Sequence, residues 1–344
     1  MSKTTLPKGW LPLDGDTIAT REGFIFNVFG YEHPESRVFA FLKYIPSKYR
    51  ELFRVRLLGR TWRVGEDELL RAERLYTAEN YKAFLTTFKE NFPDYIYYCP
   101  FRMKEVISVP LDRVVEVYCP RERLRSLLED EAKDPLQRSA QDLIELLSEE
   151  SKVPVEDFGI HGSIAMNMHT AQSDIDLAVY GGQNFRKVEA AIDRLAGDGT
   201  LNYIFKNRLD IARRYRGRFR GRIFMYNATR KPEEIKSRYG EHRYIPLYPV
   251  KLRCRVREDG EAVFRPATYG VESIKPLNGS ALQSGLTPGV VVSMMGCYRN
   301  VARRGQEIEV SGMLERVECI ETGGVYHQVV VGSAMSEEEY IWPL

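Results

Sequence analysis

The sequence predicts an α+β protein of several domains. Its 344 residues exceed the usual size of one domain, about 100–200 residues. Strand-like and helix-like segments mix over the first two thirds of the chain, and the last part alternates strand-like segments with glycine-rich turns. We therefore expect a mixed sheet with helices at 126–260, an N-terminal α+β region at 1–125 and a C-terminal small sheet or barrel at 261–344.

The N-terminal region contains three strand-like runs and one helical pattern. The runs GFIFNVFGY (23–31) and RVFAFLKYI (37–45) are rich in aromatic and β-branched residues and are separated by the turn-forming EHPES. RVRLLGRTWRV (54–64) is predicted as a third strand. Over 66–92 the apolar residues recur at steps of three and four, which predicts a helix. No catalytic signature is visible in this region.

Sequence patterns of the same kind predict the helices and strands of the middle and last regions. Pro120 and Pro135 each open a predicted helix, and FRKVEAAIDRLAG is an amphipathic helix that ends at Gly197. We expect strands in RIFMYNAT (222–229) and PVKLRCRVRE (249–258), both in the middle region. Four further strand-like segments follow before the C-terminus: AVFRPATYGV, GVVVSMMGCY, QEIEVSGMLERVE and VYHQVVVG.

Composition excludes several classes of protein. With 43% hydrophobic and 28% charged residues the chain can bury a core, and no run approaches the roughly 18–20 apolar residues that span a bilayer. There is no apolar secretory segment at the N-terminus, no HExxH, and no CxxC among the five cysteines. We expect a cytoplasmic protein with reduced thiols and no membrane partner.

The segment 158–182, FGIHGSIAMNMHTAQSDIDLAVYGG, carries the chemistry. A short apolar strand leads into Gly162 and Ser163, where the glycine lets the backbone approach a phosphate and the serine hydroxyl can bind its oxygens. A second strand begins near Asp174 and Asp176. Because alternate residues of a strand lie on one face, these two carboxylates are expected to point the same way.

Two neighbouring carboxylates repel each other, and a divalent cation removes that repulsion. Mg²⁺ prefers carboxylate and phosphate oxygens, so Asp174 and Asp176 are the predicted metal ligands, for Mg²⁺ or Mn²⁺ together with a nucleoside triphosphate. The alternative, a surface hairpin with two solvated aspartates, does not explain why both acids lie in an apolar strand.

The Gly-Ser pair, the spacer of ten residues and the Asp-x-Asp in an apolar strand resemble the signature of the DNA polymerase beta nucleotidyltransferase superfamily. The continuation DIDLAVYGG is most similar to its minimal and archaeal members. The resemblance implies a nucleotidyltransferase-like sheet, with Gly162 and Ser163 contacting nucleotide phosphates and Asp174 and Asp176 holding the metals.

The resemblance also implies a third carboxylate on a later strand. Asp210, in Leu-Asp-Ile, fits the local pattern but lies in a segment that looks helical. Asp259 follows the strand-like run 249–258, and we take it as the third catalytic acid with Asp174 and Asp176. If the third acid is missing, the fold can remain while transfer is weak or absent.

The segment 206–222 holds eight basic residues against Asp210 in a chain of net charge +2. Arginines of this segment suit phosphate, so Arg213 and Arg214 are candidate nucleotide-binding residues, and Tyr215 and Phe219 could stack on bases of RNA. The other interpretation is an ordinary solvated basic face.

The expected reaction moves an NMP from an NTP to an acceptor hydroxyl and releases pyrophosphate. The acceptor is an RNA end, a protein side chain or a small molecule. The competing hypothesis is a non-catalytic nucleotide- or RNA-binding protein that keeps the nucleotidyltransferase fold. A third carboxylate close to Asp174 and Asp176 would distinguish the two.

Overall fold

A computed structural model describes residues 7, 9–277, 279 and 282–344, and these residues form three sheets and six α helices. The mixed α and β character predicted from the sequence is confirmed. In the described part of the chain, no helix combines the length and the apolar character that crossing a membrane requires.

The N-terminal sheet has eight strands with one long helix packed on it. Its main path runs β4-β5-β3-β2-β1-β8, and β7 pairs with both β3 and β6. Phe24, Phe88 and Tyr95 lie in its core, fully buried and in mutual ring contact. The elements are β1 (Thr17–Thr20), β2 (Ile25–Val28), β3 (Arg37–Pro46), β4 (Trp62–Val64), β5 (Asp67–Leu70), α1 (Ala78–Asn91), β6 (Ile96–Cys99), β7 (Lys104–Pro110) and β8 (Val114–Tyr118).

The helix predicted over 66–92 is wrong in its first half. Gly65 has a positive φ of 59° and joins β4 to β5 in a tight hairpin, so Asp67–Leu70 is a strand. The helix begins only after Thr77, whose hydroxyl accepts a hydrogen bond from the Asn80 amide and so caps it. Local turn chemistry therefore overrides the three- and four-residue spacing.

The middle sheet has five strands in the order β11-β12-β13-β10-β9. Strand β10 is parallel to β13 and antiparallel to β9, and helices α2, α3 and α5 share one apolar core with these strands. The elements are α2 (Pro120–Glu129), α3 (Pro135–Ser151), β9 (Phe158–Ile160), α4 (Gly162–Ala165), β10 (Ile175–Tyr180), α5 (Gly182–Gly197), β11 (Asn202–Tyr203), α6 (Arg208–Arg213), β12 (Arg216–Phe219) and β13 (Arg222–Thr229).

The C-terminal sheet closes on itself, which confirms the expected small barrel. Pairing runs β14-β15-β16-β18-β17 and returns to β14, while β19 adds to β17. Strand β14, which our domain division placed in the middle region, thus pairs along the barrel; the division itself stays a prediction. The strands are β14 (His242–Glu258), β15 (Ala267–Pro276), β16 (Val290–Ser293), β17 (Glu307–Cys319), β18 (Val325–Val331) and β19 (Tyr340–Pro343).

The N-terminal region packs directly on the segment 158–182. Tyr44 and Leu69 of the N-terminal sheet share a small apolar cluster with Met166 and Met168, which follow α4. Gly15 lies so close to His161 that an added Cβ would be 2.8 Å from its Cε1 atom. These contacts bring residues of the N-terminal sheet to the ends of β9 and β10.

Candidate active site

The two aspartates of the SDIDL segment lie side by side, and we call them the acid pair. Asp174 directly precedes β10 and Asp176 is its second residue, and both are partly exposed. Burial raises the pKa of Asp176, the nearby Lys43 opposes this, and the charge of Asp174 raises that pKa further. The structure thus brings the carboxylates together as expected.

The Gly162-Ser163 turn abuts the acid pair. The amide of His161 donates a 2.8 Å hydrogen bond to the carbonyl of Asp176, which fixes the end of β9 against β10. Gly162 has a positive φ of 66°, and a Cβ there would collide with Oδ2 of Asp176. Glycine is required at this position by both conformation and space, and Ser163 follows with a half-buried side chain.

An arginine of the basic segment reaches the acid pair. Arg216 of β12 lies opposite Met225 of β13, which lies opposite Asp176, so the three residues form one row across the sheet. Its Nη2 is 3.5 Å from Oδ2 of Asp174. Its Nε is buried and has no hydrogen-bond partner among the described residues. A buried donor without a partner is unfavourable, so this nitrogen is suited to a bound acceptor.

Two further cations come from the N-terminal sheet, where the sequence showed no catalytic signature. Lys43 of β3 and Arg71, which follows β5, both lower the pKa of Asp176 by their charge. Arg71 resembles Arg216 in that its Nε is buried without a partner among the described residues. No sequence signal identifies these residues, because they approach the acid pair only through the packing of one region on another.

Burial and the nearby cations together lower the pKa of two basic groups beside the acid pair. Burial, with the charges of Arg71 and Arg265, lowers the pKa of Lys43 to about 8 despite the opposing effect of Asp176. Burial, with Lys43 and Arg265 among the nearby cations, lowers the pKa of His161 to about 3. His161 is therefore a neutral imidazole at neutral pH.

Among the described residues, no third carboxylate joins the acid pair. No three His, Cys, Asp or Glu residues of the described chain are grouped so that they could hold a metal ion. Asp259 instead forms an ion pair with Arg186 at 3.1 Å. Asp210 is 6% exposed and accepts a hydrogen bond from the Lys206 amide at the start of α6. The register places Met225 opposite Asp176 on the neighbouring parallel strand.

The donor set of the acid pair suits one divalent cation. Mg²⁺ in nucleotide sites is typically held by one or two carboxylates together with substrate phosphates and water. Asp174 and Asp176 supply those carboxylates, and the free Nε donors of Arg71 and Arg216 suit the phosphate oxygens that would accompany the metal.

The other arginines of 206–222 are engaged within the protein. Arg213 is buried, its Nε donates to the carbonyl of Arg299, and its guanidinium lies 3.8 Å from the ring centre of Tyr215. Arg214 pairs with Asp193 at 3.0 Å. Neither is brought to the acid pair by these contacts. The prediction that Phe219 stacks on bases is wrong, because its side chain is 3% exposed and lies in the apolar core.

Comparisons with known proteins find a family match over the region that contains this site. Residues 141–245 match the family model described as "Nucleotidyltransferase domain", which includes Gly162, the acid pair and Arg216. The chain is 28% identical to "Uncharacterized protein MJ1086" of Methanocaldococcus jannaschii, in an alignment that covers 95% of this chain and 97% of that protein. No solved structure matches the chain. The domain match confirms the resemblance and supports a transferase that carries out nucleotidyl transfer.

Proposed function

We propose that the protein is a metal-dependent nucleotidyltransferase that moves an NMP from an NTP to an acceptor hydroxyl and releases pyrophosphate. The observation that carries this proposal is the position of the Gly162 turn, pressed against Asp176 at a positive φ, beside the unpaired donors of Arg71 and Arg216. One location thus combines carboxylates for a metal with donors for phosphates.

The charges around the acid pair favour a metal–triphosphate complex over either component alone. A divalent cation offsets the repulsion between Asp174 and Asp176. The triphosphate then supplies acceptors for Lys43, Arg71 and Arg216, whose positive charges all act on Asp176. Arginine suits this role because its planar guanidinium donates parallel hydrogen bonds to phosphate oxygens.

In the proposed reaction the acceptor oxygen forms a bond to the α-phosphorus of the NTP. The bond from that phosphorus to the bridging oxygen breaks, pyrophosphate leaves with the electron pair, and the hydroxyl proton passes to solvent. Lys43, Arg71 and Arg216 hold the phosphates in line for this displacement. A metal bound by Asp174 and Asp176 would stabilise the charge that develops on the phosphate oxygens.

The test is calorimetric titration of Mg-NTP into wild-type protein and into Asp174→Asn/Asp176→Asn. We expect the double variant to lose about 100-fold or more in affinity while it remains folded. The matched control is Asp193→Asn, which alters a carboxylate of α5 that is paired with Arg214. Equal Mg-NTP binding by the wild type and the double variant would end the metal-site proposal.

In the described part of the chain only two carboxylates meet at this site, which also favours a second candidate, a protein that binds NTP without transferring it. Release of labelled pyrophosphate separates the two functions. If Mg-NTP binds through the acid pair but no pyrophosphate is released with RNA, protein or small-molecule acceptors, the non-catalytic function stands. Release that is lost in Asp174→Asn/Asp176→Asn supports transfer.

A further inference from the structure

A cleft of about 750 Å³ lies between the N-terminal sheet, the segment that follows β13 and the C-terminal barrel. Its lining does not include the acid pair. Small-molecule sites typically occupy clefts of about 300–1,000 Å³ and often lie between domains. Its size and position therefore suit a ligand other than the nucleotide at the acid pair.

Aromatic side chains form much of the wall of this cleft. Phe39 and Phe41 line it from β3, Tyr76 precedes α1, and Tyr326 lies across from them on β18. Tyr76 and Tyr326 are 54% and 41% exposed, and Phe41 meets Tyr76 edge to face with ring centres 5.2 Å apart. Exposed rings in a concave site favour stacking with a planar ring of a ligand.

Two cations of the lining form no ion pair with any described residue, although the charges of Glu315 and Glu339 still act on one of them, Lys104. Arg102 stacks on Tyr244 at 4.6 Å, and Lys104 donates to the carbonyl of Ser333 at 3.2 Å. Within the described residues neither lies within 4.0 Å of a carboxylate, whereas the lining arginine Arg265 pairs with Asp14. Arg102 and Lys104 are therefore available to an anionic group.

The acidic side chains of the lining are already held by donors of the protein. Glu339 accepts hydrogen bonds of 2.7 Å from the amides of Gly332 and Ser333, and Glu337 accepts one of 2.8 Å from the amide of Glu79. The remaining three are held in the same way: Glu32 by Ser237, Glu234 by the amides of Gly182 and Lys231, and Glu261 by Arg230. These glutamates keep their negative charge, but their hydrogen bonds are made within the protein, which leaves Arg102 and Lys104 as lining groups that can donate to the anion of a ligand.

The cleft reaches toward the acid pair along β3. Phe41 lines it, and Lys43 lies two residues further on the same strand, about 7 Å away by strand geometry. Lys43 in turn acts on Asp176 by its charge. A ligand stacked near Phe41 therefore has a short path to the phosphates that we place beside Lys43.

We propose that this cleft binds the acceptor of the transfer, a small molecule with a planar aromatic ring, an anionic group and a hydroxyl directed toward the acid pair. The role as acceptor rests on the proposed function, whereas the ligand class rests on the cleft alone. The acceptor oxygen forms the bond to the α-phosphorus, pyrophosphate leaves with the electron pair, and the hydroxyl proton passes to solvent.

The test uses two fluorescent probes with the same rings, anionic anilinonaphthalenesulfonate and neutral phenylnaphthylamine. In Arg102→Ala/Lys104→Ala we expect the anionic probe to bind about tenfold more weakly while the neutral probe keeps its affinity. Tyr76→Ala should weaken both probes. The matched control is Arg60→Ala, because Arg60 also stacks on an aromatic ring at 4.6 Å, that of Trp62, but does not line the cleft.

The acid pair provides the cross-check. Asp174→Asn/Asp176→Asn should bind the anionic probe as the wild type does, and Arg102→Ala/Lys104→Ala should keep its affinity for Mg-NTP. If the wild type fails to bind Mg-NTP, the proposed function is contradicted, whereas the ligand class inferred for the cleft still stands. Unchanged affinity of the anionic probe in Arg102→Ala/Lys104→Ala would overturn the ligand class, and displacement of the probe by Mg-NTP would overturn the acceptor role.

Discussion

Two clusters of charged side chains in this protein differ in how far their hydrogen-bonding groups are satisfied. Around the acid pair, the Nε atoms of Arg71 and Arg216 are buried and have no partner in the described chain. The other cluster, which we call the closed network, joins α5 to the barrel through Arg186, Glu189 and Arg303. In it the Nη atoms of both arginines and the carboxylate of the glutamate have hydrogen-bond partners.

The closed network centres on Glu189, which is 8% exposed. Its carboxylate accepts from Arg186 at 3.0 Å, from Asn300 at 2.7 Å and from Arg303 at 2.6 Å. Arg186 also binds Asp259, the residue we expected to be the third catalytic acid. Mutual pairing of this kind indicates a structural role, whereas buried donors without a partner beside carboxylates indicate a site for a ligand.

The largest expected effect comes from a substitution at Gly162, which lies against the acid pair. In Gly162→Val the side chain meets Asp176 and the backbone must hold a positive φ, so the turn is displaced. We expect transfer to fall by about 100-fold or more, because a shift of about 1 Å can do so. Pyrophosphate release is the measurement. Gly197→Val is the control, since a Cβ there meets nothing within 4 Å, and equal losses at both positions would contradict the proposal.

A substitution in the closed network should lower the stability of the protein and not its affinity for Mg-NTP. Glu189→Ala leaves Arg186 and Arg303 without their shared carboxylate, and we expect a loss of about 3 kcal/mol in the free energy of unfolding. Urea denaturation measures it. Glu145→Ala, at an exposed glutamate of α3, should change stability by less than about 0.5 kcal/mol. A selective loss of Mg-NTP affinity in Glu189→Ala, with stability unchanged, would refute the distinction.

Asp16 extends the comparison to a buried carboxylate with neutral partners. It is 3% exposed and accepts from Trp10 Nε1 at 2.8 Å and from the Leu13 amide at 3.2 Å. Burial raises its pKa from 3.8 to about 7. Between these values the folded protein keeps a proton that the unfolded chain has released, so this carboxyl's contribution to stability falls as pH rises toward 7 and is constant above it.

Asp16→Asn removes this titration and keeps the shape of the side chain. From about pH 5 to about pH 8 the stability of the wild type should fall relative to that of the variant by about 2 kcal/mol. Urea unfolding of both proteins across this range is the measurement. Parallel pH profiles would show that Asp16 is ionised in the folded protein.

The smallest expected effect concerns Arg216. Removing its guanidinium in Arg216→Ala should weaken Mg-NTP binding about tenfold, the value of one charged hydrogen bond, with little change in stability. Arg214→Ala is the control from the same basic segment, because Arg214 pairs with Asp193. If calorimetry shows the same affinity in both variants, Arg216 serves the fold and not the nucleotide.

Much of the middle and last regions follows from local sequence. The residues on both sides of Asp176 are apolar and short runs of this kind are typical of a buried strand. The structure has that strand, β10. The helix that ends at Gly197 and the strands of the barrel follow from the same patterning. The hairpin at Gly65 was missed, because helical spacing and a tight turn compete within 66–92.

The sequence by itself determined the acid pair and the glycine turn, because both depend on spacing within one short segment. Only the tertiary structure decided that the charges of Lys43 and Arg71 act on Asp176, that Asp259 belongs to the closed network, and that an aromatic cleft begins at Phe41, two residues before Lys43 on β3. The reason is physical. Period and turn chemistry act over a few residues, whereas charge and burial act through space between segments that lie far apart in the chain.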